Sequence, residues 1–204
     1  NFNFLIKSNV CKGKPNPLLL ILVLSKAENA RQRHAIRSTY GSVVRDVNLV
    51  FLFGKTNSSE MESLVQKEAD VFGDIVQADF VESYYNLTYK VLMGFKWVKH
   101  FCPGAINIMK ADEDTFMDIP RLTNIMASTD MTNIIYGHFH FADDVDRKVE
   151  KTKVVMEAFP FKYYLPHVKG NMYFMSKTLA FQILELSEYF PYVNIEDAHI
   201  TGTL

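Results

Sequence analysis

Seven apolar residues in unbroken succession, Leu18-Leu19-Leu20-Ile21-Leu22-Val23-Leu24, follow Pro15 and Pro17 near the start of the chain. A strand with one wet face alternates apolar with polar residues, whereas a run apolar at every position has to be covered on both faces. Helices on both sides of a parallel sheet provide that cover. The run is far short of the ~20 residues that cross a bilayer.

The rest of the pattern agrees. Asn48 to Phe53 reads as a second buried strand, stopped by Gly54. Glu28 to Thr39 before it reads as a crossover helix ending near Gly41. Ser58 and Ser59 offer N-cap oxygens for a helix through Phe72, and Gly73-Asp74 breaks it before the short pair Ile75-Val76. Leu87, Val91, Phe95 and Val98 recur at helical spacing between Asn86 and Lys99. After Pro103-Gly104, Ala105 to Met109 predicts another strand. Weaker signals place a helix over Pro120 to Ala127, a strand near Ile134 to Tyr136 and a helix over Lys177 to Ser187. Phe139 to Lys162 has no clean period and reads as loops or an antiparallel insert. Strands alternating with helices in this order predict an α/β fold with right-handed crossovers.

With 48% hydrophobic residues among 204, the chain can bury a sizeable core, which excludes a disordered or collagen-like polymer. The 22 basic and 23 acidic residues give a formal charge of -1, without the basic footprint of a nucleic-acid binder. The chain opens without Met or a signal sequence and closes on Gly202-Thr203-Leu204, so it reads as part of a longer polypeptide. Cys11 and Cys102 permit one disulfide without demanding it. Asn57-Ser58-Ser59 and Asn86-Leu87-Thr88 are glycosylation sequons, usable only in a secretory compartment.

Ligands of open α/β sheets sit outside the carboxyl ends of the strands. The segment there, after the Ala105 to Met109 strand, is Lys110-Ala111-Asp112-Glu113-Asp114-Thr115-Phe116. Asp112 and Asp114 are two apart, on one side of an extended chain at roughly 7 Å. Oxygen-rich pairs of this kind suit Mg²⁺ or Mn²⁺; a solvated acidic turn is the plain alternative. No Gly-x-Gly-x-x-Gly or Walker loop is present to cradle phosphate, and Met117 stands where a calcium-hand loop needs Gly. A metal would itself have to neutralise a diphosphate.

Glu28-Asn29-Ala30-Arg31-Gln32-Arg33-His34-Ala35-Ile36-Arg37-Ser38-Thr39-Tyr40-Gly41 resembles the opening motif of the β-1,3-glycosyltransferases of glycosyltransferase family 31. Asp79 through Lys90, Lys96-Trp97, Cys102-Pro103, Lys110 through Phe116, Gly170 through Ser176 and Glu196 through Gly202 continue in that family's order. The resemblance covers Leu18 to Gly202. It implies a GT-A-type, Rossmann-like sheet flanked by helices, the nucleotide-diphospho-sugar transferase architecture. It divides the chain into a stem remnant over 1–17 and a catalytic domain over 18–204, truncated at its C-terminus. It further implies inverting, metal-dependent transfer of galactose, N-acetylglucosamine or a related sugar from a UDP-sugar, usually to a 3-hydroxyl of a glycan on protein or lipid. The setting implied is the Golgi lumen, with a membrane anchor N-terminal to this sequence.

Carried over residue by residue, Asp114 becomes the direct ligand of Mn²⁺ or Mg²⁺, and Asp112 faces the ribose or the metal's waters. Glu113 stands where the family most often has Asp. The pair Glu196-Asp197 matches the last acidic motif, with Asp197 as general base and Ala198 in place of the usual Val; acids at a helix N-terminus are the structural alternative. Arg33 and Arg37, four apart on one helix face, meet phosphate or form ion pairs, Arg37 being favoured as the functional one. Tyr84 and Lys90 line the nucleotide pocket, a solvated lysine being the alternative for Lys90; Gly170 lets backbone approach the donor or makes a plain turn; Trp97 is assigned to the core.

Two hydrolytic alternatives fit poorly. His138-Phe139-His140 with Asp143-Asp144 lacks the Asp and His that a metallo-β-lactamase pattern needs at Ala142 and Asp143. A haloacid dehalogenase pattern needs Thr or Val at Phe116 and a place near the first strand. The alternative of a different class is a non-catalytic nucleotide- or glycan-binding domain that keeps the fold.

Overall fold

The computed structural model describes residues 2–13, 15–42 and 46–204. The strands are β1 (Phe4–Ile6), β2 (Leu19–Leu24), β3 (Val47–Lys55), β4 (Ile75–Val81), β5 (Asn107–Asp112), β6 (Ile135–His140) and β7 (His167–Ser176). They form one sheet in the order β1-β4-β3-β2-β5-β7-β6. Strands β4, β3, β2 and β5 are parallel, whereas β1 and β7 join antiparallel, and β6 pairs antiparallel with β7. The predicted α/β sheet flanked by helices is therefore present.

The apolar run behaves as its composition requires. All six residues of β2 are buried, and alternate ones belong to different layers. Leu20, Leu22 and Leu24 pack with Val91, Phe95 and Trp97 of α3 (Leu87–Phe101) and with Ala180 and Ile183 of α5 (Lys177–Leu186). Leu19, Ile21 and Val23 face Ile36 of α1 (Ala30–Ser38), Val65 of α2 (Ser59–Phe72) and Leu122 of α4 (Ile119–Ser128). Each fully buried aliphatic side chain of this strand contributes roughly 1.5–3 kcal/mol to the core.

Helix ends follow local chemistry. Ser58 Oγ accepts from Met61 N–H at 3.2 Å to start α2, and Gly73, at φ 67°, closes it. Asp118 and Ser176 cap α4 and α5 in the same way. The predicted strand at Ala105 starts at Asn107, and Trp97 is fully buried as expected. Two strands lay outside the sequence expectations. Strand β1 holds only three residues, and β7 carries Lys169, Gly170 and Asn171 in its middle, which obscures the apolar signal. The region 139–162 starts as the end of β6 and continues as loops over a small cluster of Val145, Val154, Phe159 and Tyr164.

Cys11 and Cys102 are joined in a disulfide, tying the segment after β1 to the end of α3. No helix among the described residues is long and apolar enough to cross a membrane.

Candidate active site

The carboxyl ends of the parallel strands converge with the first half of β7. Leu24 pairs in register with Asp112, and Ala111 with Met172, so Gly170 lies just beyond the end of β5. A short helical turn, α6 (Glu196–Ala198), packs on β7 and continues as a π-helical turn over His199–Thr203.

Lys110 is the hub of this edge. Its ammonium is 2% exposed, lies 2.7 Å from Asp112 Oδ1 and 3.3 Å from Glu196 Oε2, and donates to the Gly170 carbonyl. Burial pulls its pKa down, but the carboxylates of Glu196 and Asp112 outweigh it, so the pKa is raised and the lysine stays charged. Glu196 is buried, receives a hydrogen bond from the Tyr173 hydroxyl, and is pushed up by burial against the pull of Lys110. Asp112 is also pushed up, first by burial and then by the neighbouring Asp114 and Asp197, while Lys110 opposes. Asp197 Oδ2 accepts from Gly170 N–H at 2.8 Å and Oδ1 from Ala198 N–H at 2.9 Å. Tyr84 lies within the fields of Asp197 and Asp112, which together with burial raise its hydroxyl pKa. Tyr84 and Asp197 line one cleft of about 280 Å³.

Thus Asp112, Gly170, Glu196, Asp197 and Tyr84 come together. Asp114 is exposed on the turn after β5, close enough to repel Asp112, and its carboxylate has no hydrogen bond among the described residues.

Of the other candidates, Glu113, Arg33 and Lys90 meet around Ser25 at the carboxyl end of β2, and Arg37 lies apart. Glu113 turns back: its carboxylate accepts from Ser25 Oγ at 2.5 Å and from Asn29 Nδ2, pinning β5 to the loop before α1. Arg33, buried, bonds Glu68 Oε2 at 2.6 Å, the Lys26 and Ala27 carbonyls and Ser25 Oγ, so every direction of its fork is used inside the protein. Arg37 corrects the expectation most. The helix carries it away from the carboxyl edge to Asp74, at the entry to β4, where its Nε is 2.7 Å from Oδ2 and its Nη1 2.7 Å from Glu68. It is an ion-pair residue stacked on Phe72. Lys90 is buried rather than solvated, bonded to Glu82 and to the Ser25 carbonyl, with its pKa lowered by burial against the pull of Glu82.

Lys110, Tyr173, Ser25 and Glu82 were missed. A lysine inside the otherwise apolar stretch Ile108 to Ala111 was the available signal, because an ammonium there needs carboxylate partners. Tyr173 and Glu82 offered none.

The donor set of Asp112 and Asp114 is all carboxylate oxygen, the chemistry of Mg²⁺ and Mn²⁺, which are commonly held by one or two carboxylates and completed by substrate phosphates and waters. Among the described residues no three His, Cys, Asp or Glu side chains form a closed metal cage. An open pair of mutually repelling carboxylates, one of them unpartnered, fits such an ion.

A family model described as galactosyltransferase matches residues 31–204. The chain belongs to the galactosyltransferase family. It is therefore a glycosyltransferase. Among its relatives, beta-1,3-galactosyltransferase 5 of Pan paniscus is 33% identical over 97% of this chain and 68% of its own length. UDP-GalNAc:beta-1,3-N-acetylgalactosaminyltransferase 1 of Homo sapiens is 30% identical over 98% of this chain and 63% of its own length. The galactosyltransferase-family chain thus spans about two thirds of these relatives. A looser likeness is to the mannosyltransferase PcManGT from Pyrobaculum calidifontis in complex with GDP-Man and Mn2+, at 13% identity and TM-score 0.47 over 97% of this chain and 54% of that one.

Proposed function

We propose that this chain carries the catalytic residues of an inverting transferase that moves galactose or N-acetylglucosamine from a UDP-sugar to a glycan hydroxyl on protein or lipid, forming a β-1,3 linkage. Support for the linkage and for galactose comes from the family and from the names of the relatives. The observation that carries the reading is the chain Asp112–Lys110–Gly170–Asp197. It brings the Asp-x-Asp turn and the last acidic motif to one sheet edge beside one cleft.

In this reading Asp114, with Asp112, would hold Mn²⁺ or Mg²⁺. Such an ion would offset the negative charge that gathers on departing UDP. Asp197 takes the proton of the acceptor hydroxyl as its oxygen attacks the anomeric carbon and the bond to the diphosphate breaks on the opposite face. Two backbone N–H groups fix the orientation of Asp197. Glu196 holds Lys110 rather than touching substrate, so its role is to position. Tyr84, beside Asp197, forms part of the pocket wall.

The disulfide and the two sequons support an oxidising, lumenal setting, for which we propose the Golgi, the anchor lying N-terminal to this sequence. Strand β1 pairs with β4 and Cys11 is bridged to Cys102, so the segment before residue 18 packs with the catalytic domain instead of forming a separate stem. The test is a panel of UDP-sugars with Mn²⁺, scored for transfer and for donor hydrolysis by the full-length protein. Metal-dependent release of UDP with one sugar supports the reading; binding of UDP-sugars without turnover favours a non-catalytic module.

A further inference from the structure

The exposed carboxylate of Asp114 has no hydrogen bond among the described residues, yet the backbone that carries it is tied on both sides. Asp112 to Thr115 is a β-turn, closed by the Thr115 N–H donating to the Asp112 carbonyl at 3.1 Å. Before Asp114, Glu113 reaches back to the loop after β2, where its Oε2 accepts from Ser25 Oγ at 2.5 Å and its Oε1 from Asn29 Nδ2. After Asp114, Thr115 Oγ1 donates to the Asn171 carbonyl of β7 at 3.1 Å. Strands β2 and β7 flank β5 in the sheet, so the turn is tethered to both of its neighbours.

The anchor under Glu113 is itself held. Ser25 is buried; its carbonyl accepts from Lys90 Nζ at 2.9 Å and its hydroxyl oxygen from Arg33 Nη1 at 3.1 Å. A guanidinium only donates, so the Ser25 proton is left for Glu113. Arg33 also bonds the Lys26 and Ala27 carbonyls, at 2.6 and 3.0 Å, and both cations are buried. Both carboxylate oxygens of Glu113 are therefore spent inside the protein. The charge of Asp114 bears on Asp112, a repulsion that opens such a turn unless other contacts resist it.

We propose that Glu113 and Thr115 are positioning residues that hold Asp114 in place for the cation, Glu113 acting through Ser25 and Asn29, and Thr115 through Asn171. An ion bound by a turn that is free to move has to order it, and that cost is subtracted from affinity. Here the folded chain has ordered the turn before any ion arrives. What Glu113 supplies is reach and hydrogen bonding, not charge. The proposal rests on the reading of Asp112 and Asp114 as the residues that hold Mn²⁺ or Mg²⁺.

The test uses the full-length protein, with UDP titrated calorimetrically in the presence and absence of Mn²⁺. Glu113→Ala should weaken manganese-dependent UDP affinity about tenfold and Thr115→Val about threefold, with the metal-free affinity unmoved. Glu113→Gln should stay within about twofold of the wild type, because a carboxamide accepts from Ser25 at one end and donates to a turned-over Asn29 at the other. In an Asp114→Ala background neither Glu113→Ala nor Thr115→Val should change the affinity further. Should Glu113→Ala fail to fold, Thr115→Val carries the same comparison. A loss in Glu113→Gln as large as in Glu113→Ala would make the effect one of charge. An undiminished loss in the Asp114→Ala background would make it one of general folding. Either overturns the proposal. Wild-type UDP binding that ignores Mn²⁺ would sink the cation reading instead. Hydrogen exchange over residues 112–116 of the metal-free protein then decides the positioning: faster exchange in Glu113→Ala and Thr115→Val supports it, and unchanged exchange overturns it.

Discussion

The Gly170 N–H donates to Asp197 Oδ2 at 2.8 Å, and a Cβ placed on Gly170 would lie 3.2 Å from that same oxygen. Backbone and carboxylate are therefore in close contact, and a methyl group fits only if the carboxylate gives way slightly. Gly170→Ala should push the Asp197 carboxylate by a few tenths of an ångström and lower kcat about tenfold, with thermal stability falling by no more than about 1–3 kcal/mol. Steady-state kinetics alongside a melting curve checks it. Asp197→Asn, which keeps the shape and removes the basicity, should cost roughly 10²–10⁴ in kcat with UDP affinity retained.

Asp114 is exposed and unpartnered, so its loss should leave folding alone. Asp114→Ala should unfold within about 0.5 kcal/mol of the wild type. Manganese-dependent UDP affinity should drop at least about tenfold, as titration calorimetry with and without the metal would report. Equal affinities would remove Asp114 from the metal site.

Lys110 is the opposite case. Lys110→Met would leave Glu196 and Asp112 without their cation, and removing one partner of a buried pair costs about 3–5 kcal/mol. The urea midpoint should fall accordingly, and a midpoint close to wild type would mean that the two carboxylates are neutral in the folded protein.

His199 is buried beside the last acidic motif, with Nδ1 unpartnered, and burial pulls its pKa from 6.5 down to about 4. The unfolded chain then binds a proton that the folded chain refuses. The stability from neutral His199 is complete above about pH 6.5 and is lost as pH falls towards 4, a span worth roughly 3 kcal/mol. The melting temperature should drop across that interval, and His199→Leu should flatten the drop.

The Cys11–Cys102 bridge closes a loop spanning 91 positions. Cys11→Ser, or reduction, should cost about 2–5 kcal/mol in chemical denaturation, since the unfolded chain regains the freedom that the cross-link removes.

Much of the sheet and its carboxyl edge was readable in order along the chain. The run Leu18 to Leu24 demanded two covering layers, and the spacing of Asp112 and Asp114 at a strand end singled out the carboxylates proposed above to hold a cation. Arg37 shows where reading stopped. Helical periodicity put it on one face with Arg33, but the direction of α1 relative to the sheet, which sends Arg37 to Asp74 rather than to the carboxyl edge, is a matter of packing.

What the sequence determined by itself is whatever depends on neighbours within a few residues: burial of β2 on both faces, the caps at Ser58, Asp118 and Ser176, the stop at Gly73, and the paired aspartates. Only the tertiary structure decided the partners of Lys110. They come from 2, 60 and 86 positions away, at Asp112, Gly170 and Glu196. A buried ammonium announces that carboxylates must exist, because its desolvation has to be offset. Which ones answer depends on the antiparallel return of β7 beside β5, and no local pattern encodes that register.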